Sequence, residues 1–325
     1  MNENENIIKI ESNRLQNFPV MMFAIVMGLT GLALAFQKAE HILYLPSFIG
    51  YILGGFSSML FLLILVTYII KIIKHNKEVK GEFTHPIRVN FFAAISISTL
   101  LLSMFHRHDY ETLSYVLFIC GAMLHIFFTF YTIRFWINNS LEVVHSNPAW
   151  FIPIVGNLIV PIAGKGFINE HVLYFYFSIG IFFWIILFSI ILNRIIFHKQ
   201  FAPKFMPTLF ILIAPPSIGF ISYIKLIGHV DFFAHILYSL GLFFTILVFV
   251  MYKNYINIKF FISWWAFTFP MAAITLATLL MYELSQYFFY YVLAYIFLVL
   301  SSVIVLLVAK ETISHMRKKE ICIME

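Results

Sequence analysis

The 325 residues predict an all-α integral membrane protein of ten transmembrane helices. Three observations carry that expectation. Hydrophobic residues make up 62% of the chain and charged residues 11%, whereas a soluble domain carries about 25% charged residues. Water leaves no place to hide that much apolar surface, whereas lipid solvates the outer faces of a helical bundle. Apolar runs of about 20 residues, the length that crosses a bilayer, recur along the whole chain. The charges fall between these runs rather than on one basic face, so the net charge of +6 does not mark a nucleic-acid partner.

The runs can be justified in order. Residues 18–36 end in Ala33-Leu34-Ala35, which resembles a signal-peptidase site. The preceding stretch, however, sets Lys9 and Arg14 against Glu3, Glu5 and Glu11. A secretory signal has a positive n-region and a shorter apolar core, so 18–36 is read as a mature helix. The second span is 47–70, with the unbroken MLFLLILVTYII at 59–70, and the third is 87–105, with Ala93, Ala94, Ser96, Ser98 and Thr99. The fourth, 113–135, holds Cys120 and His125. Cys120 is read there as a small core residue, and Cys322 as a tail residue. The fifth, 150–164, is short and broken by Pro153 and Pro161. Spans 172–197, 207–227, 232–252, 260–281 and 287–309 complete the set. The chain thus divides into an N-terminal tail 1–17, a membrane domain 18–309 and a C-terminal tail 310–325.

Ten spans put both termini on one side, and the loops choose which. Lys and Arg number 17 on the side of the termini against four, Lys38, Arg107, Lys165 and Lys225, on the other. Positive charge marks the cytoplasmic face, so both tails are expected inside the plasma (inner) membrane. Trp136, Trp150, Trp264 and Trp265 lie near the expected cytoplasmic ends, as interfacial aromatics do.

Prolines give the internal repeat. Pro19, Pro86, Pro153, Pro161, Pro215, Pro216 and Pro270 all belong to odd-numbered spans. Successive separations from 19 through 86, 153 and 215 to 270 are 67, 67, 62 and 55 residues, the length of a two-helix hairpin. The chain therefore reads as five hairpins, each with a proline-bearing first helix. Proline removes a backbone hydrogen bond and kinks a helix. The freed carbonyls are tolerated at membrane depth only where they are buried in protein or line a wet cavity. The odd helices, kinked at Pro19, Pro153, Pro215, Pro216 and Pro270, are thus expected around a central pore, with the even helices against lipid.

The membrane interior is short of chemistry. No Asp or Glu lies in the middle of a span, and only His125 and His235 place an imidazole inside one. Coupled transporters keep such a group as a seat for the coupling ion; a buried neutral histidine with a hydrogen-bond partner is the plainer account of these two. Weak fields from hydroxyls, backbone N–H groups and flanking bases such as Arg88 let an anion leave as well as enter, which conduction requires. His106-Arg107-His108-Asp109 reads as a solvated loop rather than a metal centre. There is no phosphate loop, no HExxH and no serine elbow. No enzyme, cofactor or metal is expected.

Several strings carry a resemblance. Asn17-Phe18-Pro19 with Gly28-Leu29 and Gly31, His85-Pro86-Ile87-Arg88-Val89-Asn90-Phe91-Phe92, Val155-Gly156-Asn157, Ala214-Pro215-Pro216-Ser217 and Trp264-Trp265-Ala266-Phe267-Thr268-Phe269-Pro270-Met271 fall on the five odd spans. Together they resemble the tellurite-resistance TehA and plant slow-type anion channel family. The resemblance implies pseudo-five-fold symmetry, one pore per subunit and a homotrimer in membrane lipid. It also implies passage of small inorganic anions such as chloride and nitrate, and a pore gate on the ninth helix. Phe269 is the best match to that gate, with Phe267 as second choice. Members often carry a further proline near the position of Ala93 to Ile95, and this chain has none. The alternative activities are a proton-coupled exporter of dicarboxylates or tellurite and, from another class, an intramembrane enzyme using His125 or His235.

Overall fold

The computed structural model describes residues 14–323, so residues 1–13 and 324–325 of the two tails lie outside the described residues. Ten apolar elements, each including any 3-10 turns, follow one another: α1 Val20–Leu43, α2 Phe48–Lys74, α3 Arg88–His106, α4 Glu111–Asn138, α5 Pro148–Gly164, α6 Glu170–Phe197, α7 Pro203–Ile227, α8 Phe232–Val250, α9 Ile262–Ser285 and α10 Phe288–Arg317. Nine are long and apolar enough to cross a membrane, and α5 is shorter. No strand occurs among the described residues, only an isolated bridge between Lys165 and Ile168. α10 continues to Arg317, past the expected end at 309. Lys310 and Glu311 mark where apolar sequence stops, but helical hydrogen bonds persist in water.

Burial separates the elements into two layers. Within their apolar windows α1, α3, α7 and α9 are 72–83% buried, whereas the even elements are 28–39% buried. The even elements turn side chains such as Leu62, Phe182, Phe243 and Leu306 outward, as lipid-facing helices do. α1 packs on α3 and α9, α7 packs on α9, and the C-terminal half of α5 packs on α3 and α7, which closes a ring of odd elements. Each odd element also packs against the even element that follows it.

Close approach between the layers relies on missing side chains. A Cβ on Gly54 of α2 would meet the Phe105 ring at 2.0 Å, one on Gly121 of α4 would meet Leu100 at 2.9 Å, and one on Gly180 of α6 would meet Leu158 at 2.6 Å. Small residues at membrane helix interfaces let backbones approach in this way. Hydroxyls then bridge the layers: Thr30 to Ser57 at 2.6 Å, Thr275 to Ser301 at 2.9 Å and Tyr238 to Thr278 at 3.1 Å.

The odd elements share a feature that hydropathy does not reveal. Each opens with 3-10 backbone before becoming α-helical: Val20–Met22, Arg88–Phe92, Pro148–Phe151, Pro203–Ile213 and Ile262–Phe267. Prolines mark the change. Pro153, Pro161, Pro215, Pro216 and Pro270 sit in the first turn of the α segment that follows a 3-10 stretch. Each removes one N–H from the junction, so an upstream carbonyl of the 3-10 turn loses its helical partner there. α3 makes the same change at Ala93 with no proline.

A buried ionic cluster ties the start of α1 to α2. Lys71, 1% exposed, donates to the Phe18 carbonyl at 2.7 Å and pairs with Glu82 of the short helix Asn76–Phe83 at 3.0 Å. The Tyr68 hydroxyl donates to the other Glu82 oxygen at 2.7 Å. Half-buried Cys322 feels the charges of Arg14 and Lys71, but burial dominates and pushes its thiol up to about 11. Cys120 corrects the sequence reading. It is exposed on α4 rather than packed in the core, because apolar sequence on an outer helix faces lipid as readily as protein.

Candidate functional site

The odd elements enclose a cavity of about 60 Å³. Every residue lining it comes from them. α1 supplies Met21, Ala24 and Met27; α3 supplies Phe91, Ala94 and Ile97; α7 supplies Thr208, Ile211 and Ala214. Only the step from Thr208 to Ile211 lies wholly in 3-10 backbone, where residues i and i+3 eclipse one another; Ala24 to Met27 and Ala94 to Ile97 are α-helical, where i and i+3 also share a face. Phe151, Val155 and Ile159 of α5 and Ser263, Ala266 and Phe269 of α9 complete the wall.

The wall is apolar. The hydroxyls at its edge are occupied: Thr208 donates to the Phe205 carbonyl at 2.6 Å and Ser263 to the Lys204 carbonyl at 2.6 Å. No charged side chain lines it among the described residues. A dehydrated ion there would exchange its water for hydrocarbon, which is the barrier a hydrophobic constriction presents. The lining ends on successive odd elements at Met27, Ile97, Ile159, Ile218 and Pro270.

Phe269 lines this cavity and is 9% exposed. Its ring lies in a slot left by Gly31 of α1, where a Cβ would stand 3.2 Å from the ring and 3.1 Å from Ala272. Phe267 is not among the lining residues. It packs edge-on against Phe210 at 4.7 Å and Tyr255 at 5.7 Å. Of the expected prolines, Pro215 and Pro270 reach the lining, whereas Pro153 and Pro216 are buried in α5 and α7 outside it. Pro19 caps the opening turn of α1.

The two intramembrane histidines go separate ways. His125 is fully buried between α3, α4 and α5, with Nδ1 2.8 Å from the Ser96 hydroxyl. Beside it, Thr129 donates to the Pro153 carbonyl at 2.8 Å, and Asn157 donates to Thr129 at 2.9 Å and to the Ile154 carbonyl at 2.8 Å. These side chains take up carbonyls where α5 changes backbone geometry. They were not anticipated as a group, although Asn157 stood in a motif the sequence analysis singled out. His235 is exposed on α8. In the loop 106–109, His106 turns back to Ser58 at 3.0 Å and His108 faces Asp109 at 3.4 Å.

Charged groups gather at the ends of the odd elements. At the 3-10 end, His85 accepts hydrogen bonds at Nδ1 from the N–H groups of Ile87 and Arg88 at 3.1 and 3.2 Å. Burial, then the charges of Arg88, His145 and Lys204, hold its pKa below the ordinary histidine value.

A profile of a family described as voltage-dependent anion channel matches residues 17–313. The chain is 28% identical over 294 residues to the S-type anion channel SLAH2 of Arabidopsis thaliana, which covers 86% of this chain and 56% of that protein. It is 27% identical over 305 residues to an uncharacterized transporter of Methanocaldococcus jannaschii, covering 83% of this chain and 86% of the relative. A tellurite resistance protein TehA homolog of Haemophilus influenzae is 27% identical over 262 residues, 78% of each chain. The chain thus spans little more than half the length of the plant relative.

Proposed function

Because the chain belongs to the voltage-dependent anion channel family, we propose that it conducts small monovalent anions such as chloride and nitrate, with Phe269 as the gate. The family is one of channels and transporters, not enzymes. The observation that carries the gating proposal is the position of Phe269 in an apolar cavity walled only by odd elements. An aromatic ring held by packing alone rotates without breaking hydrogen bonds, so it blocks the path at small cost to opening. The hairpins 18–309 form, in this reading, a pseudo-five-fold barrel with proline-bearing helices inside and one pore per subunit, assembled as a homotrimer in the plasma membrane. Both tails face the cytoplasm, as the distribution of Lys and Arg supports.

The test is current across planar bilayers in chloride and in nitrate, comparing wild type with Phe269→Ala. The expected outcome is a near-silent wild type and a mutant conducting at least about tenfold more, the effect of lowering a barrier by about 1.4 kcal/mol. Reversal potentials should follow the anion gradient. Equal, measurable currents in the two proteins would remove Phe269 from the gate. Proton-dependent transport against a gradient, with no anion current, would favour the coupled exporter of dicarboxylates or tellurite instead.

A further inference from the structure

We propose that Lys225 and Ser222 on α7 form an anion-binding site beyond the Phe269 end of the cavity, at the mouth opposite the 3-10 openings. This rests on the reading of the chain as an anion pore, and it gives the outer half of the path a binding step.

The first observation is the arrangement of charge where the odd elements end. Each ends in or beside a charged side chain: Lys38 on α1, Arg107 just after α3, Lys165 just after α5, Lys225 on α7 and Glu283 on α9. Lys225 lies within electrostatic reach of the other four. Most of these charges are committed. Lys38 pairs with Glu283 at 2.5 Å, and Lys165 pairs with Glu170. Arg107 donates to the Ala163 and Lys165 carbonyls at 2.8 and 2.7 Å and lies over the Phe167 ring at 4.1 Å. Lys225 makes neither a hydrogen bond nor an ion pair among the described residues, and it is exposed. An ammonium placed among three other cations, with only a carboxylate already paired to Lys38 in reach, is a binding point for an anion.

The second observation is independent of the first. Ser222 is fully buried, and its hydroxyl has no hydrogen-bond partner. Other buried hydroxyls of the odd elements find a partner, in their own helix as Ser217 does at the Ile213 carbonyl at 2.7 Å and Thr278 at the Ile274 carbonyl at 2.8 Å, or on a neighbour as Ser98 does at the Phe23 carbonyl at 3.1 Å. Among the described residues, Ser222 is the one buried serine or threonine whose oxygen is orphaned. A buried polar group without a partner is costly and calls for a missing one.

Helical geometry joins the two. Ile218 is the last α7 residue of the cavity wall; Ser222 and Lys225 follow it at i+4 and i+7, on the same face. Ser222 therefore lies along α7 between the mouth and the apolar roof, which ends at Ile218. It supplies one hydrogen-bond donor at the point where an anion held by Lys225 gives up water. One ammonium and one hydroxyl suit a small monovalent anion. They do not neutralise a dicarboxylate.

Chloride itself is the probe. Line broadening of the chloride NMR signal by purified full-length protein is measured for wild type, Lys225→Gln, Lys225→Arg and Ser222→Ala. A unit charge at contact distance across water changes occupancy about three- to fivefold, so Lys225→Gln should raise the half-saturating chloride by that factor and Lys225→Arg should restore it. Ser222→Ala has no hydrogen bond to lose within the protein; it should weaken chloride binding while unfolding at the wild-type temperature or higher. Unchanged broadening in both Lys225→Gln and Ser222→Ala overturns the site. The same substitutions in the Phe269→Ala background should shift the dependence of current on chloride at that mouth. Broadening needs no conduction. A silent Phe269→Ala with Lys225-dependent broadening would thus sink the channel reading and leave the site standing.

Discussion

Gly156 shows how one missing carbon sets the packing of an inner helix. A Cβ there would stand 2.2 Å from His125 Cε1 and 2.6 Å from Nε2. The ring has no room to retreat, because Nδ1 is held by Ser96 at 2.8 Å. Overpacking of this kind costs about 1–3 kcal/mol, so Gly156→Ala should lower the unfolding midpoint in detergent. Gly55→Ala is the control: nothing lies within 4 Å of its added carbon, and its midpoint should hold or rise. At this scale the sequence was partly legible. A neutral, buried His125 with a partner was expected from the scarcity of chemistry in the membrane. Its contact with a glycine on the next span was not, since no periodicity encodes a meeting between residues 31 positions apart. Phe267 and Phe269 illustrate the same limit. Two residues apart they point to different faces, and a sequence does not state which face meets the cavity.

Among the elements, the Lys71–Glu82 pair joins α2, the short helix after it and the backbone entering α1. Removing one partner of a buried pair leaves the other charge stranded and costs about 3–5 kcal/mol, whereas replacing both is far milder. Lys71→Met alone should therefore destabilise strongly in chemical unfolding, and the double variant Lys71→Met with Glu82→Gln should recover part of the loss. An additive double variant would mean that the two side chains do not act as a pair. Hydropathy located these elements and their order well. The 3-10 openings were hidden: proline announces an interruption without saying what replaces the α-helix, and α3 changes geometry with no proline. One signal was present and unused. Gly54, Gly121, Gly180 and Gly241 recur on the even elements at 67, 59 and 61 residues, close to the proline period on the odd ones.

For the whole molecule, the charge asymmetry makes a prediction about sidedness. His108, whose side chain is 90% exposed, and Lys253, exposed beyond α8, lie at opposite ends of the bundle. Single cysteines at these positions should differ in intact cells: His108→Cys reacts with an impermeant maleimide, and Lys253→Cys reacts only after permeabilisation. The reverse pattern would invert the proposed topology. The expectation comes from the sequence because Lys and Arg are sorted by the membrane itself, and the labelling decides it. The cavity was legible only as an inner layer, since its walls depend on which faces of five separate helices converge.

The backbone of α5 has a consequence for reach. At the α-helical rise its 17 residues would measure about 26 Å, short of a hydrocarbon layer about 30 Å thick. Pro148–Phe151 and Gly156–Leu158, 4 and 3 residues, are 3-10, and each such residue advances about 2.0 Å rather than 1.5 Å. Laid end to end with Ile152–Val155 and Ile159–Gly164, 4 and 6 residues, they extend the element to about 29 Å. The segment that looks too brief to cross is thus stretched to nearly the full thickness, and the narrower winding makes up in pitch what the chain lacks in length.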